Sequence, residues 1–195
     1  IGDMGILRIE LEYLKCICTI HWNKLNQLDL SDDLTPDRID LTNEYVFSID
    51  PPNCKDIDDA FHINIINENE YEIGIHISDV TSFFKLNSDL DNEFANRNES
   101  IYIENNVTNM MPDVLSIDKC SLLENTVRRA FSIIILYNKT TCEQLDIKIC
   151  KTLIQVNKNY SYDNAEKMID IDNDLAALYN FGKLLYNMND KNIND

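Results

Sequence analysis

The sequence predicts a mixed α/β domain, with strands in the middle of the chain and helices at its ends. Three observations carry that reading. Between Tyr45 and Val156, β-branched and aromatic residues gather in short runs bounded by turn residues. Before and after that stretch, apolar residues recur at helical spacing. The composition over 195 residues, 44% hydrophobic and 26% charged, is ordinary for a globular chain long enough to bury a core.

Taken in order, Ile6, Ile9, Tyr13 and Ile17, with Leu7, Leu11, Leu14 and Cys18 beside them, predict a helix with a broad buried face. Asp29 to Asp40 is acidic, contains Pro36 and reads as an exposed connector. Residues 1–44 are therefore read as a lead-in to a domain over 45–195. Tyr45–Asp50 reads as a strand that closes at Pro51–Pro52. Ala60–Ile66 and Tyr71–Ile77 read as strands joined by the polar turn Asn67–Glu70. Asp89–Arg97 suits a short helix. Ala130–Tyr137, Leu145–Cys150 and Thr152–Val156 read as three further strands. Tyr162–Ile169 and Asp174–Met188 read as helices, the second with Leu175, Leu178, Phe181, Leu185 and Met188 along one stripe.

Lys and Arg number 17 against 34 Asp and Glu, a net charge of −17. Such a surface repels phosphate backbones and excludes a generic nucleic-acid coat, unless a basic patch or metal ions intervene. No apolar run approaches the roughly 18 residues of a membrane span, and the first residues lack a secretory pattern. The six cysteines, at 16, 18, 54, 120, 142 and 150, form no metal or redox pair. Cys16 and Cys18 read as small core hydrophobes. A reducing cytoplasm or nucleus is expected, with no membrane and no disulfide-linked partner. A chain opening on Ile1 reads as part of something longer.

The informative stretch is Ser48 to Ala60, where Asp50, Asp56, Asp58 and Asp59 stand at offsets 0, 6, 8 and 9. Asp50 closes a strand, and the Pro51–Pro52 turn brings the other three back beside it. Converging carboxylates repel and rise in pKa unless cations neutralise them. Hard oxygen donors select Mg²⁺ or Mn²⁺. Two such ions about 4 Å apart can clamp the attacking and leaving oxygens of a phosphodiester. The ordinary alternative is a solvated acidic loop, but the apolar strand opening Ala60–Phe61–His62–Ile63 sets the group against the core. The Asp170–Asp174 stretch is not a calcium loop, since Leu175 and Phe181 stand where glycine and glutamate belong. His62 and His76, in apolar strand contexts, read as satisfied core histidines, and His21 stands apart from them.

Val46–Phe47–Ser48–Ile49–Asp50–Pro51–Pro52, then Asp56–Ile57–Asp58–Asp59–Ala60, resembles the catalytic RNB domain of the ribonuclease II/ribonuclease R family, and within it the eukaryotic exosome-type branch. Gly74–Val80, Leu90–Asp91 to Arg97, Ser100–Tyr102, Met110–Pro112, Cys120–Leu122, Arg128 and Ala130–Ser132 continue the resemblance in order. It implies a twisted mixed sheet flanked by helices, with the carboxylates at one end of a narrow channel. It also implies a magnesium-dependent hydrolytic 3′→5′ exoribonuclease that releases nucleoside 5′-monophosphates from single-stranded RNA, with Mn²⁺ as a substitute metal and an exosome-like complex as a partner. By the same resemblance the four aspartates are catalytic. Asp50 and Asp59 hold the tighter metal, Asp56 and Asp58 help place the second metal and the attacking water, and loss of Asp58 abolishes hydrolysis but not RNA binding. Tyr102 matches the tyrosine that stacks on the 3′-terminal base. Arg97 and Arg128 fit either phosphate contact or loop bracing.

The family's second half, with its transition-state arginine, is not in this sequence, so the domain is expected to be incomplete at its C-terminus and to bind metal yet cleave poorly alone. Ser78 stands where the family has alanine. Asn98–Glu99 stands where it has Gly-Thr, and asparagine tolerates the left-handed turn. Two other readings stay open: a catalytically incomplete homologue acting as a scaffold or RNA-binding module, and a generic acidic metal buffer.

Overall fold

A computed structural model describes residues 37–103 and 106–193, with 102–103, 106–108 and 188–193 described by their backbone alone. The helix expected over 6–18, most of the acidic connector, and Cys16, Cys18 and His21 lie outside the described residues. Two compact units form, one from 37–79 with 119–193, the other from 80–118.

The larger unit holds β1 (Ile39–Asp50), β2 (Asp59–Ile65), β3 (Glu70–Ser78), β6 (Val127–Asn138), β7 (Gln144–Ser161), α2 (Tyr162–Met168) and α3 (Asn173–Ile193). Its sheet twists until it closes into a barrel in the order β1-β2-β3-β6-β7. Four pairings are antiparallel, and β1 runs parallel to β7 to close the ring. The expected mixed sheet with flanking helices is therefore present, with its edges joined. Closure removes the unpaired edge that an open sheet leaves exposed.

Two strand boundaries differ from the sequence reading. β1 begins at Ile39, not Tyr45, because Ile39 and Leu41 alternate with outward-facing Asp40 and pair with Thr152 and Ile154. The acidic texture marks only the outer face. The runs 145–150 and 152–156 form one strand, since Lys151 stays in the ladder opposite Phe131.

A five-stranded barrel is narrow, so its inward positions favour small side chains. Val46, Ala60, Ala130, Ile154 and Val156 pack there with Ile57 and Leu122. Beyond them runs a buried polar chain across four strands. His62 Nδ1 meets His76 Nε2 at 2.8 Å, His76 Nδ1 meets Ser132 Oγ at 2.7 Å, and Ser132 Oγ meets Thr152 Oγ1 at 2.6 Å. Burial, then the neighbouring His62, pushes His76 down to about 3, and burial also lowers His62. Both rings are core residues as expected, and His76 has partners on both nitrogens. His62 does not: its Nε2 is buried without a hydrogen bond.

On the outside, Phe47 and Tyr160 pack with Ala165 and Leu175, while Ile63, Ile73 and Cys142 pack with Phe181. Of the stripe predicted on α3, Leu175, Leu178, Phe181 and Leu185 form the face that covers the barrel, and the Met188 side chain lies outside the described residues. Asp172, in the rejected calcium loop, caps α3. Its Oδ1 accepts the N–H groups of Asp174 and Leu175, and its Oδ2 accepts the hydroxyls of Tyr45 and Tyr160. Burial raises this carboxyl, but the Leu175 N–H and the two tyrosines outweigh burial and hold it below the usual range.

The smaller unit holds a 3-10 turn (Val80–Phe83), α1 (Asp89–Arg97), the hairpin of β4 (Ile101–Ile103) and β5 (Asn106–Thr108), and most of a π-type turn (Val114–Cys120). Ser88 caps α1 by accepting the Asp91 N–H. Asn98 ends the helix at φ 66° and ψ −36°, a positive φ but not the left-handed helical turn expected of it. Phe94 of α1 meets Phe84 edge-on.

Gly74 pairs with His62 across the β2–β3 ladder, and a methyl on Gly74 would overlap the His62 ring. Gly74→Ala should therefore destabilise the chain by about 1–3 kcal/mol, as overpacking does. Urea unfolding should show a smaller loss when alanine is introduced at 74 in a His62→Ala background.

Candidate active site

β1 ends at Asp50, where two successive prolines deny the ladder its N–H donors. The chain turns through Asn53, at φ 65°, with the Cys54 N–H on the Pro51 carbonyl at 3.2 Å. It then runs extended to Asp59, the first residue of β2. Alternation along this loop buries Ile57 in the barrel core and leaves Asp56 and Asp58, on either side of it, exposed. Asp50 and Asp59 are half-buried at the facing ends of β1 and β2.

The loop is clamped from outside its own sequence. Ser121, fully buried, donates from its hydroxyl to the Lys55 carbonyl at 2.8 Å and accepts the Ile57 N–H at 3.0 Å. Leu122 N–H reaches the Ile57 carbonyl at 2.9 Å, and Ser78 N–H reaches the Asp58 carbonyl at 2.9 Å. Ser78, the departure from the family's alanine, also donates its hydroxyl to the Cys120 carbonyl at 2.6 Å, next to the clamp.

Asp50 is held by a second chain. Ser48 donates to Asp50 Oδ2 at 2.6 Å, and the Asn159 amide donates to Ser48 Oγ at 2.9 Å and to the Leu122 carbonyl at 3.1 Å. The Asn159 carbonyl oxygen accepts the Glu124 N–H at 2.8 Å. Ser48 and Asn159 are direct partners in the β1–β7 register, which is what brings them together.

The four aspartates act on one another. Partial desolvation, then the carboxylates of Asp56, Asp59 and Asp50, raises Asp58. Desolvation, then Asp50, raises Asp59. Among the described residues every influence on these two groups raises them, and no basic side chain offsets the repulsion. Four hard oxygen donors with such mutual repulsion suit a divalent cation, although among the described residues no three such side chains already close on a single point.

Arg128 belongs to the same unit. Its Nε donates to the Ser121 carbonyl at 2.8 Å, so it braces the clamp. Arg97 and Tyr102 belong to the other unit. Arg97 Nε pairs with Glu93 at 2.9 Å and its Nη1 reaches the Asn109 carbonyl at 3.4 Å, which again is bracing. Tyr102 lies in β4 opposite Val107. Sequence reasoning missed the supporting roles of Ser48, Ser121 and Asn159. Ser48 and Ser121 stood inside recognised motifs without a role. Asn159, 111 residues from Ser48, carries no local signal at all.

The RNB domain model matches residues 38–194. The exosome complex exonuclease RRP44 homolog A of Arabidopsis thaliana is 34% identical over 169 residues, covering 87% of this chain and 18% of that protein. Ribonuclease R 1 of Lactococcus lactis is 33% identical over 147 residues, 75% of this chain and 18% of that protein. The structure of Mycoplasma genitalium RNase R in complex with ribose methylated single-stranded RNA superposes with a TM-score of 0.76 at 26% identity, over 88% of this chain and 28% of that one. The chain thus spans about a fifth of the curated relatives it matches.

Two outcomes are expected. Ser121→Ala removes a buried group that both donates and accepts, and should cost about 1–3 kcal/mol in urea unfolding. Asp58→Asn removes a carboxyl whose folded pKa is raised. Such a group favours folding below its unfolded value of 3.8 and loses that contribution as pH rises through the folded value. In metal-free buffer the thermal midpoint of Asp58→Asn, relative to the parent, should therefore climb as pH rises above 3.8. An unchanged difference across that range would contradict the repulsion.

Proposed function

Because this chain belongs to the RNB family, we propose that it is the carboxylate-bearing part of an exoribonuclease that hydrolyses single-stranded RNA from its 3′ end to nucleoside 5′-monophosphates. The observation that carries the reading is the clamped loop from Asp50 to Asp59, which gathers four carboxylates with no basic partner among the described residues to neutralise them. The relatives' names, exosome complex exonuclease and ribonuclease R, support the reaction class.

The donor set is entirely hard oxygen, which suits Mg²⁺, with Mn²⁺ as a substitute. Asp50 and Asp59, half-buried at strand ends, are the residues for the tighter ion, and Asp56 and Asp58, exposed on the loop, for the second. Bound there, the metal supplies charge stabilisation at the scissile phosphate and a more acidic water. Asp58 orients the attacking water. Ser48 and Asn159 keep Asp50 turned toward the group. Tyr102 stacks on the 3′-terminal base, an interaction of about 1–3 kcal/mol that tolerates any base. Arg97 and Arg128 serve as braces. An exosome-like complex, in the cytoplasm or nucleus, is the partner we assign. Among the described residues no helix is long and apolar enough to cross a membrane.

The test is Mg²⁺-dependent digestion of an RNA with a single-stranded 3′ end, by this chain and by a C-terminally extended one. The extended chain should release 5′-monophosphates, and its Asp58→Asn variant should lose about 10²-fold or more of that rate while still binding RNA. Absence of release from the extended chain would overturn the enzyme reading in favour of a scaffold.

A further inference from the structure

The barrel has a second polar feature, at the end away from the aspartates. Ser78, the last residue of β3, touches Asp58. Glu72, near the start of β3, lines a cavity of about 260 Å³ with Glu44, His62, Asp146 and Lys148. Three carboxylates face one lysine there. At its inner wall stands His62, 1% exposed, whose Nε2 has no hydrogen-bond partner. A buried polar atom without a partner is rare and calls for an explanation.

The buried chain described above sets the state of that nitrogen. Thr152 donates to the Ala130 carbonyl at 3.4 Å. From that anchor Ser132 donates to Thr152, His76 Nδ1–H donates to Ser132, and His62 Nδ1–H donates to His76 Nε2. His62 Nε2 is then a bare lone pair. It faces the Glu72 carboxylate, with Oε1 at 3.7 Å. The chain can also run in the opposite direction, which leaves an N–H at the same atom, and 3.7 Å is too long for it to bond Glu72. In the first arrangement two electron-pair donors face each other across a gap. Two ligands of one tetrahedral ion at zinc-like bond lengths stand about 3.4 Å apart, so the gap is close to that of a shared cation. Glu44 is a further carboxylate on the same cavity wall: the Asn64 amide donates to Glu44 Oε2 at 2.9 Å and to Glu72 Oε1 at 3.3 Å, tying the two carboxylates together.

We propose that this end of the barrel binds one divalent cation of borderline softness, Zn²⁺ being the type, through His62 Nε2 with the carboxylates of Glu72 and Glu44. An imidazole with two carboxylates is a donor set for such an ion, whereas the four aspartates are all oxygen and suit Mg²⁺. The three groups do not yet close on one point. Binding turns Glu44 from Asn64 toward Nε2, and the ion fixes the hydrogen-bonded chain in its first direction. The site is independent of the nuclease reading, since none of its residues belongs to the aspartate loop.

The chain has three histidines, so ¹⁵N spectra of histidine-labelled protein are tractable. Zn²⁺ is titrated in the presence of excess Mg²⁺, which occupies the aspartates, and His62→Gln assigns the His62 signals. One equivalent of Zn²⁺ should move His62 Nε2 to a metal-bound shift. The half-exposed pair Glu44→Gln and Glu72→Gln, isosteric with the parent, should weaken that binding about tenfold or more while leaving the His76 signals in place. No zinc-dependent change at His62 Nε2 would overturn the proposal and leave a water or proton in the gap. A change that survives both glutamine substitutions would overturn it as well, by placing the ion on other ligands.

Discussion

Everything at the aspartate site depends on the parallel seam between β1 and β7. That pairing closes the sheet, and its register sets Ser48 beside Asn159 and Asp50 beside Ser161. Without the seam, Asp50 would end a free edge strand, and the Ser48 hydroxyl that holds it would lose its Asn159 partner. With it, Asp50 is pinned at the rim, and the antiparallel return into β2 has to bring Asp56, Asp58 and Asp59 back to the same rim. The carboxylates meet because the barrel's connectivity leaves them nowhere else to go.

The supports of this site are neutral. Serine hydroxyls, backbone amides and one asparagine fix the loop, and the Arg128 Nε braces it through the Ser121 carbonyl. Neutral hydrogen bonds hold geometry without cancelling charge, so the repulsion that raises Asp58 and Asp59 stays in place. The opposite choice is made by Asp172, where tyrosines and helix N–H groups bring a carboxyl below its usual range and give a structural cap. Asp172 and Asp58, each set in an acidic stretch of the sequence, are thus shifted in opposite directions by the fold.

The interior of the barrel shows the same economy of charge. A ring of five strands has little room, and Gly74 is needed because the His62 ring lies over it. Two imidazoles and two hydroxyls fill the middle as one hydrogen-bonded chain, both rings kept neutral by burial. Such a chain specifies register, since a slip of one residue in any of the four strands would leave its members unpaired. Its one loose end, His62 Nε2, is at the cavity.

What was legible in the sequence follows from local rules. The Pro51–Pro52 stop, the Asp56–Ile57–Asp58 alternation, the α1 span and the α3 stripe are set by neighbours within a few residues. The mixed α/β class, the loop and the ordered family motifs could therefore be read directly. Strand joins were misread at Asp40 and Lys151, because a charge on an outward-facing position does not interrupt a ladder. The closure into a barrel, the roles of Ser48, Ser121 and Asn159, the bracing by Arg128 and the loose nitrogen of His62 were decided only by tertiary structure. Each depends on strands far apart in the chain meeting in one register, and pairing at such separation leaves no periodicity in the sequence.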